Sequence, residues 1–185
     1  MTEISDRWRR IATDFTDRVH AVPDGAWENP APCEGWTARD VVRHLVEWMP
    51  WMFFTSPGLD APSFPSVDDD PVAAWDTLNA SIQDLLDDPE TAKREFEMRM
   101  MGTFSVENAV DRFGTGDILI HTWDVARATG LDERLDAEEV GRMYGAMSSI
   151  DEDMLRNSGQ FGPQVDVPDD ADEQTKLIAF TGRQP

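Results

Sequence analysis

The sequence predicts an all-α fold, a four-helix bundle with one or two short extra helices and one short extended segment. Three features of the chain predict it. Apolar residues recur at helical spacing in four or five stretches. Capping residues or prolines open these stretches, and turn residues close them. Partial strand-like alternation is confined to residues 93–101.

The elements follow in order. Trp8, Ile11, Phe15 and Val19 mark an amphipathic helix over residues 3–21, ended by Pro23, Asp24 and Gly25. Thr37 followed by Asp40 is the acidic form of a capping box. The threonine side chain can accept from a backbone N–H of the first turn, so a helix starts at Ala38. Val41, Val42, Leu45, Trp48 and Met49 form its stripe. Pro50 lacks a backbone N–H and should kink or end it. Trp51, Met52, Phe53 and Phe54 extend the apolar stretch as far as Pro57 and Gly58, and residues 57–70 read as a surface loop. Pro71 suits the first position of a helix carrying Trp75, Leu78, Ile82, Leu85 and Leu86, which ends at Asp87-Asp88-Pro89.

Residues 93–101 then form the extended segment or edge strand. Ser105 caps a further helix running through Ile118, Leu119, Trp123, Val125 and Ala126, with Gly130 as its C-cap. Gly114 and Gly116 each weaken that helix by up to ~1 kcal/mol relative to Ala, so a break or a close helix contact is expected there. Asp136 caps a last helix over residues 136–150. The tail beyond Ser158 reads as irregular, with a short apolar finish at Leu177, Ile178 and Phe180.

The 185 residues suffice for one domain, 1–185, with a buried core. Sixteen Lys+Arg against 37 Asp+Glu give a net charge of −21. That argues against nucleic acid, whose phosphates are bound through Lys and Arg, and against an anionic membrane surface. No stretch reaches the ~18 apolar residues of a membrane span, and the polar N-terminus is no signal peptide. The single cysteine, Cys33, excludes an intramolecular disulfide. A cytoplasmic enzyme or binding protein fits these totals.

The candidate chemistry lies with the three histidines. His20 ends the first helix, where capping or a surface role suits it. His44 lies mid-helix at the rim of an apolar face, where a histidine is either a satisfied core residue or a ligand. Asp117 and His121 stand four residues apart and project from one helix face. That pair is either a surface hydrogen bond or two ligands for one ion, as in metal-binding bundles. With His44 it makes a set of two imidazoles and one carboxylate, leaving positions open for water or substrate. Asp124, one turn beyond His121, can orient an imidazole or pair with Arg127. Glu47 can serve as a base or lie on a solvated face. Trp48, Trp51 and Trp123 are core residues or walls of a substrate pocket. Cys33 stands before a capped helix start, where a thiol is either activated or simply packed. G-x-G-x-x-G, P-loop, H-E-x-x-H, C-x-x-C and G-x-S-x-G patterns are all missing.

The segments Pro32-Cys33-Glu34-Gly35-Trp36-Thr37-Ala38-Arg39-Asp40-Val41-Val42-Arg43-His44-Leu45-Val46 and Asp117-Ile118-Leu119-Ile120-His121-Thr122-Trp123-Asp124-Val125-Ala126-Arg127-Ala128-Thr129-Gly130 resemble the two signatures of the mycothiol-dependent maleylpyruvate isomerase N-terminal family, a branch of the DinB-like superfamily. The tail, Phe161-Gly162-Pro163 through Thr181-Gly182-Arg183-Gln184-Pro185, is similar to that of single-domain actinobacterial members. The resemblance implies a DinB-type four-helix bundle. It implies a divalent metal, usually zinc with nickel or iron as alternatives, on His44, Asp117 and His121. It also implies chemistry on a low-molecular-weight thiol such as mycothiol, transferred to a small electrophile, and a homodimer is an expected assembly. Two departures stand out. The carboxylate is Asp117 where the isomerases often carry Glu, and the isomerase's second domain is missing, so isomerisation of maleylpyruvate itself is not expected. Three functions therefore compete: a metal-dependent thiol transferase, a non-catalytic metal- or ligand-binding bundle, and a helical interaction protein with structural histidines.

Overall fold

The computed structural model describes residues 2–99, 101–149, 156 and 161–185. The helices Glu3–Ala21, Ala38–Pro50, Pro71–Asp87 and Ala137–Met147 begin where a side chain satisfies a backbone N–H that the helix itself leaves unpaired, whereas Thr115–Thr129 continues from the wide turn before it without a side-chain cap. α1 (Glu3–Ala21) starts at Thr2, whose Oγ1 accepts from the Ser5 N–H at 3.2 Å. α2 (Ala38–Pro50) opens with the expected reciprocal box. Thr37 Oγ1 accepts from the Asp40 N–H at 3.3 Å, and Asp40 Oδ2 accepts from the Thr37 N–H at 2.9 Å. α3 (Pro71–Asp87) carries its proline in the first turn, and Asp70 accepts from the Ala73 N–H at 2.9 Å. After the short α4 (Pro89–Ala92) and a hairpin come α5 (Val106–Ala109), α6 (Thr115–Thr129), α7 (Ala137–Met147) and α8 (Glu173–Phe180).

α1 packs against α3 and α6, and α2 packs against the same two helices from the other side, which closes a four-helix ring. This is the all-α, DinB-like bundle expected from the sequence. Trp8, Phe15, Leu45, Met49, Trp75, Leu78 and Ile118 are fully buried at its centre. Each such side chain contributes about 1.5–3 kcal/mol by leaving water. The two tryptophans also satisfy their indole donors: Trp8 Nε1 donates to Asn79 Oδ1 at 3.1 Å and Trp75 Nε1 donates to Thr16 Oγ1 at 2.8 Å. Both bonds tie α1 to α3, so a buried polar edge fixes register as well as burying area.

Two interruptions of the helical ladder shape the bundle's interior. Beyond Pro50 the chain does not stop but widens into a π-type turn, Trp51–Thr55, in which the Ser56 N–H reaches back five residues to Trp51 O at 2.9 Å. A second wide turn, Val110–Gly114, joins α5 to α6. The two turns meet: a Cβ on Gly114 would stand 3.0 Å from Phe53 Cζ and 3.1 Å from Trp8 Cζ3. Both the break and the close contact expected around Gly114 are therefore present, and the absent side chain is what allows the aromatic rings to approach.

Of the extended segment expected over 93–101, Glu95–Met98 is strand β1; a second strand, β2 (Gly102–Ser105), lies beyond it and pairs back antiparallel, Glu95 to Ser105, with Gly102 at φ +93° opposite Met98. The tail differs from expectation. Instead of an irregular finish it contains α8, capped by Asp172, which accepts from the Thr175 N–H at 2.7 Å. Leu177 and Ile178 are fully buried and α8 packs on α7, so tertiary burial stabilises a helix too short to show a full apolar stripe. The helix expected over 136–150 is α7 and ends at Met147 with Ser148 as its C-cap; Ile150, the start of the tail at 158–160 and Met100 lie outside the described residues. No helix among the described residues is long and apolar enough to cross a membrane.

Candidate metal centre

α2 and α6 lie side by side, which carries His44 toward Asp117 and His121 from residues far away in sequence. His44 Nε2 stands 3.3 Å from Asp117 Oδ2, and His121 Nε2 stands 3.4 Å from Asp117 Oδ1. The ligand-type atoms of the three residues all lie within 4.8 Å of one another. The two imidazole rings meet edge-on with centroids 5.0 Å apart. His44 and Asp117 remain partly accessible while His121 is buried, so the cluster opens to one side.

The surroundings orient each member. Trp48, one turn beyond His44, donates its indole N–H to Asp117 Oδ2 at 3.0 Å. Trp48 is therefore tied to the cluster by a hydrogen bond and is not only a packing residue. Asp124 is completely buried, and its Oδ2 pairs with His121 Nδ1 at 2.8 Å. That bond commits the far nitrogen of the ring and leaves Nε2 facing Asp117. Asp124 in turn receives both Nε and Nη2 of Arg183, each at 2.7 Å. The alternative partner, Arg127, instead pairs with Glu133 and lies over the Trp123 ring.

A second grouping, Cys33 with His121 and Asp124, also has ligand atoms within 4.8 Å. Its geometry is that of a hydrogen-bonded core. Arg183 Nη2 donates to Cys33 Sγ at 3.3 Å, and the Cys33 thiol donates to Asp124 Oδ2 at 3.6 Å. The guanidinium already supplies the cation there. Burial and the neighbouring Asp124 charge push the Cys33 thiol up to about 12, so it is held as the thiol. This places Cys33 as a packed donor rather than an activated nucleophile.

The charges of the centre are set by competition. Burial alone would lower the pKa of His121, but the charge of Asp117 and hydrogen bonds to Asp117 and Asp124 outweigh it and raise the ring to about 9. Burial alone would raise Asp117, yet the His121 charge and hydrogen bonds from both histidines hold it well below the usual carboxylate range. Asp124 is likewise held low, against burial, by hydrogen bonds from His121 and Arg183.

Two residues near the rings did not stand out from spacing. Trp36 stacks on His121 at 6.0 Å between centroids and 19° between planes, and lies 5.1 Å from the His44 ring. A turn puts it there: the Trp36 N–H donates to Cys33 O at 3.0 Å across Gly35, and Asn29 Nδ2 ties the loop to Ala128 O at 3.0 Å. Arg183 comes from the end of the chain, and no sequence period connects it to Asp124. Of the remaining candidates, Glu47 is exposed and forms no hydrogen bond or ion pair among the described residues. Trp51 is 59% exposed rather than core, while Trp123 is buried. His20 is an exposed partner of Asp76 at 2.9 Å, in keeping with a surface role.

The fold and this cluster define a class: a DinB-type helical bundle presenting two histidines and one carboxylate at a partly open end. The chain belongs to the family described as the mycothiol maleylpyruvate isomerase N-terminal domain, which it matches over residues 8–126. It is also similar to two uncharacterized proteins of Mycobacterium tuberculosis, from strains CDC 1551 / Oshkosh and ATCC 25618 / H37Rv. Each is 27% identical over 157 residues, covering 83% of both chains. No solved structure gives a significant match.

Proposed function

We propose that this protein is a divalent-metal-dependent enzyme that transfers a low-molecular-weight thiol of the mycothiol type to a small electrophile. His44, Asp117 and His121 would hold the ion, with zinc the first candidate and nickel or iron suited to the same imidazole–carboxylate donors. The observation that carries the reading is the spacing of the cluster. Two donors held ~2.0–2.1 Å from one tetrahedral ion stand about 3.4 Å apart. The separations of the imidazole nitrogens from the Asp117 oxygens are 3.3 and 3.4 Å. The His121–Asp124 bond supports it further, because histidine ligands commonly donate their other N–H to a carboxylate.

Such an ion makes a bound thiol or water nucleophilic at neutral pH. The chain's own residues have defined tasks. His44 and His121 bind through Nε2. The Trp48 N–H holds the Asp117 carboxylate in place. Asp124 keeps the proton on His121 Nδ1, and Trp36 covers the ring and excludes water from one side.

One observation favours a second reading, a binding bundle without turnover. Asp124, the carboxylate hydrogen-bonded to His121, is taken by Arg183 as well, and exposed Glu47 makes no bond to the cluster among the described residues. A single series of measurements separates the readings. Metal content of tag-free protein, compared with H121A, tests the centre: stoichiometric metal that H121A loses supports it, and equal metal in both refutes it. Metal-loaded protein is then incubated with mycothiol and a panel of small electrophiles. Conjugation above background identifies the transferase, and its absence leaves the binding bundle.

A further inference from the structure

Arg183 is a deeply placed cation of the C-terminal segment. Its side chain is 11% exposed, and it meets a carboxylate that is completely buried. The contact is two-pronged, Nε to Oδ1 and Nη2 to Oδ2, both at 2.7 Å. A bidentate guanidinium fixes the plane of a carboxylate, which a single-point ammonium does not. Asp124 Oδ2 is also the atom that takes His121 Nδ1 at 2.8 Å. The carboxylate therefore has its rotation fixed on one side and fixes an imidazole on the other.

The backbone that delivers Arg183 is specified just as tightly. Gly182 adopts φ +88°, and a Cβ there would come within 2.7 Å of Gly162 Cα. The tail thus crosses itself at a point where only hydrogen fits. Arg156 Nη1 donates to Gly162 O at 2.7 Å and to Phe180 O at 2.8 Å, holding both limbs of the crossing. Gln174 binds the tail to the α6–α7 connection by accepting from the Leu135 N–H and donating to Glu133 O, each at 2.9 Å. All of this lies beyond residue 126, where the match to the family ends.

We infer that Arg183 is a positioning residue for the His44–Asp117–His121 centre: the C-terminal segment docks its guanidinium on Asp124, which sets the angle of the His121 ring and turns Nε2 toward the other two donors. The inference rests on the metal reading proposed above for its functional weight, but the orientation of the ring is measurable without any ion. R183M removes the fork and keeps the bulk. R183K keeps the charge and loses the two-point grip. G182A displaces the same guanidinium without altering it.

The test has two readouts on full-length protein. The first is the long-range histidine 1H–15N NMR spectrum of metal-free protein, with circular dichroism to confirm folding. Native protein shows a persistent His121 Nδ1–H signal; R183M and G182A lose it to exchange, and R183K weakens it. The second is zinc affinity by chelator competition, which falls 10- to 100-fold in R183M and G182A and less in R183K, in line with the loss of an outer partner. If R183M does not fold, R183K carries the comparison. A folded R183M or R183K with the native Nδ1–H signal and native zinc affinity overturns the inference. If native protein binds no zinc, the metal reading fails while the NMR comparison still decides what Arg183 does to the ring.

Discussion

Binding a divalent cation at this centre should expel one proton from His121 at neutral pH. In the metal-free protein the ring is held between Asp117 and Asp124 with its pKa raised to about 9. Nε2 can coordinate only when it has lost its proton. Below pH 9 the cation therefore competes with that proton, and its binding constant should fall about tenfold for each pH unit. Between pH 9 and pH 7 the loss is roughly 100-fold, or about 2.7 kcal/mol at 1.36 kcal/mol per unit. Calorimetric titration with zinc at pH 7, in buffers of different ionisation enthalpy, reads the proton count directly, and chelator competition from pH 6.5 to 9.5 reads the slope. One proton and a slope near one are expected. Zero protons with a flat affinity would show that burial outweighs the Asp117 charge at His121, and the electrostatic picture of the centre would be wrong.

Three further outcomes follow from the same contacts. D124N, in which an amide N–H can face His121 Nδ1, should shift the ring proton to Nε2 and weaken zinc binding by at least 10- to 100-fold; native affinity in a folded D124N would contradict the assigned role of Asp124. For the metal-free protein the stabilising contribution of His121, whose pKa rises on folding, is complete below its unfolded value of about 6.5 and disappears as the pH climbs through about 9. Asp117 and Asp124, held low, contribute above about pH 4 and lose that contribution on acidification. The metal-free Tm should accordingly peak between about pH 4 and 6.5; a Tm still flat at pH 9.5 would exclude this assignment. G114V should cost about 1–3 kcal/mol in urea denaturation, because its side chain enters the space of Phe53 and Trp8. A G114V protein as stable as the native one would mean that the two wide turns are free to separate.

What the sequence disclosed depended on whether a feature was local. Thr37 and Asp40 announced the start of α2 because a capping box is complete within four residues. Asp117 and His121 disclosed a shared face because one helical turn sets their spacing. His44 could be joined to them by residue type and by likeness to a family signature, and the packing of α2 on α6 supplies the physical link. Arg183 was illegible for the opposite reason: its tie to Asp124 spans 59 positions and arises from the tail's folding. α8 escaped because its stripe is only Leu177 and Ile178, and its stability comes from burial. Trp36 stood in plain view within a signature, but a stacking partner leaves no period to read. Pro50 was correctly read as a disturbance, whereas the wide turn beyond it, whose Phe53 ring lies against Gly114, has no local signal in the sequence.

The wide turn at Val110–Gly114 has a consequence for comparing this chain with its relatives. An α-helix rotates by about 100° per residue, and a single π-type turn accommodates one residue more than the regular ladder would. Side chains before and after it are thereby out of phase, and a wheel drawn straight through residues 106–129 assigns several of them to the wrong side. A homologue lacking one residue in this stretch would restore the regular ladder, keeping both the Asp117–His121 face and the hairpin upstream in place. Alignments across this family should therefore admit a one-residue gap just ahead of the aspartate, and chimeras joined there should be cut after the turn, at Thr115, rather than inside it.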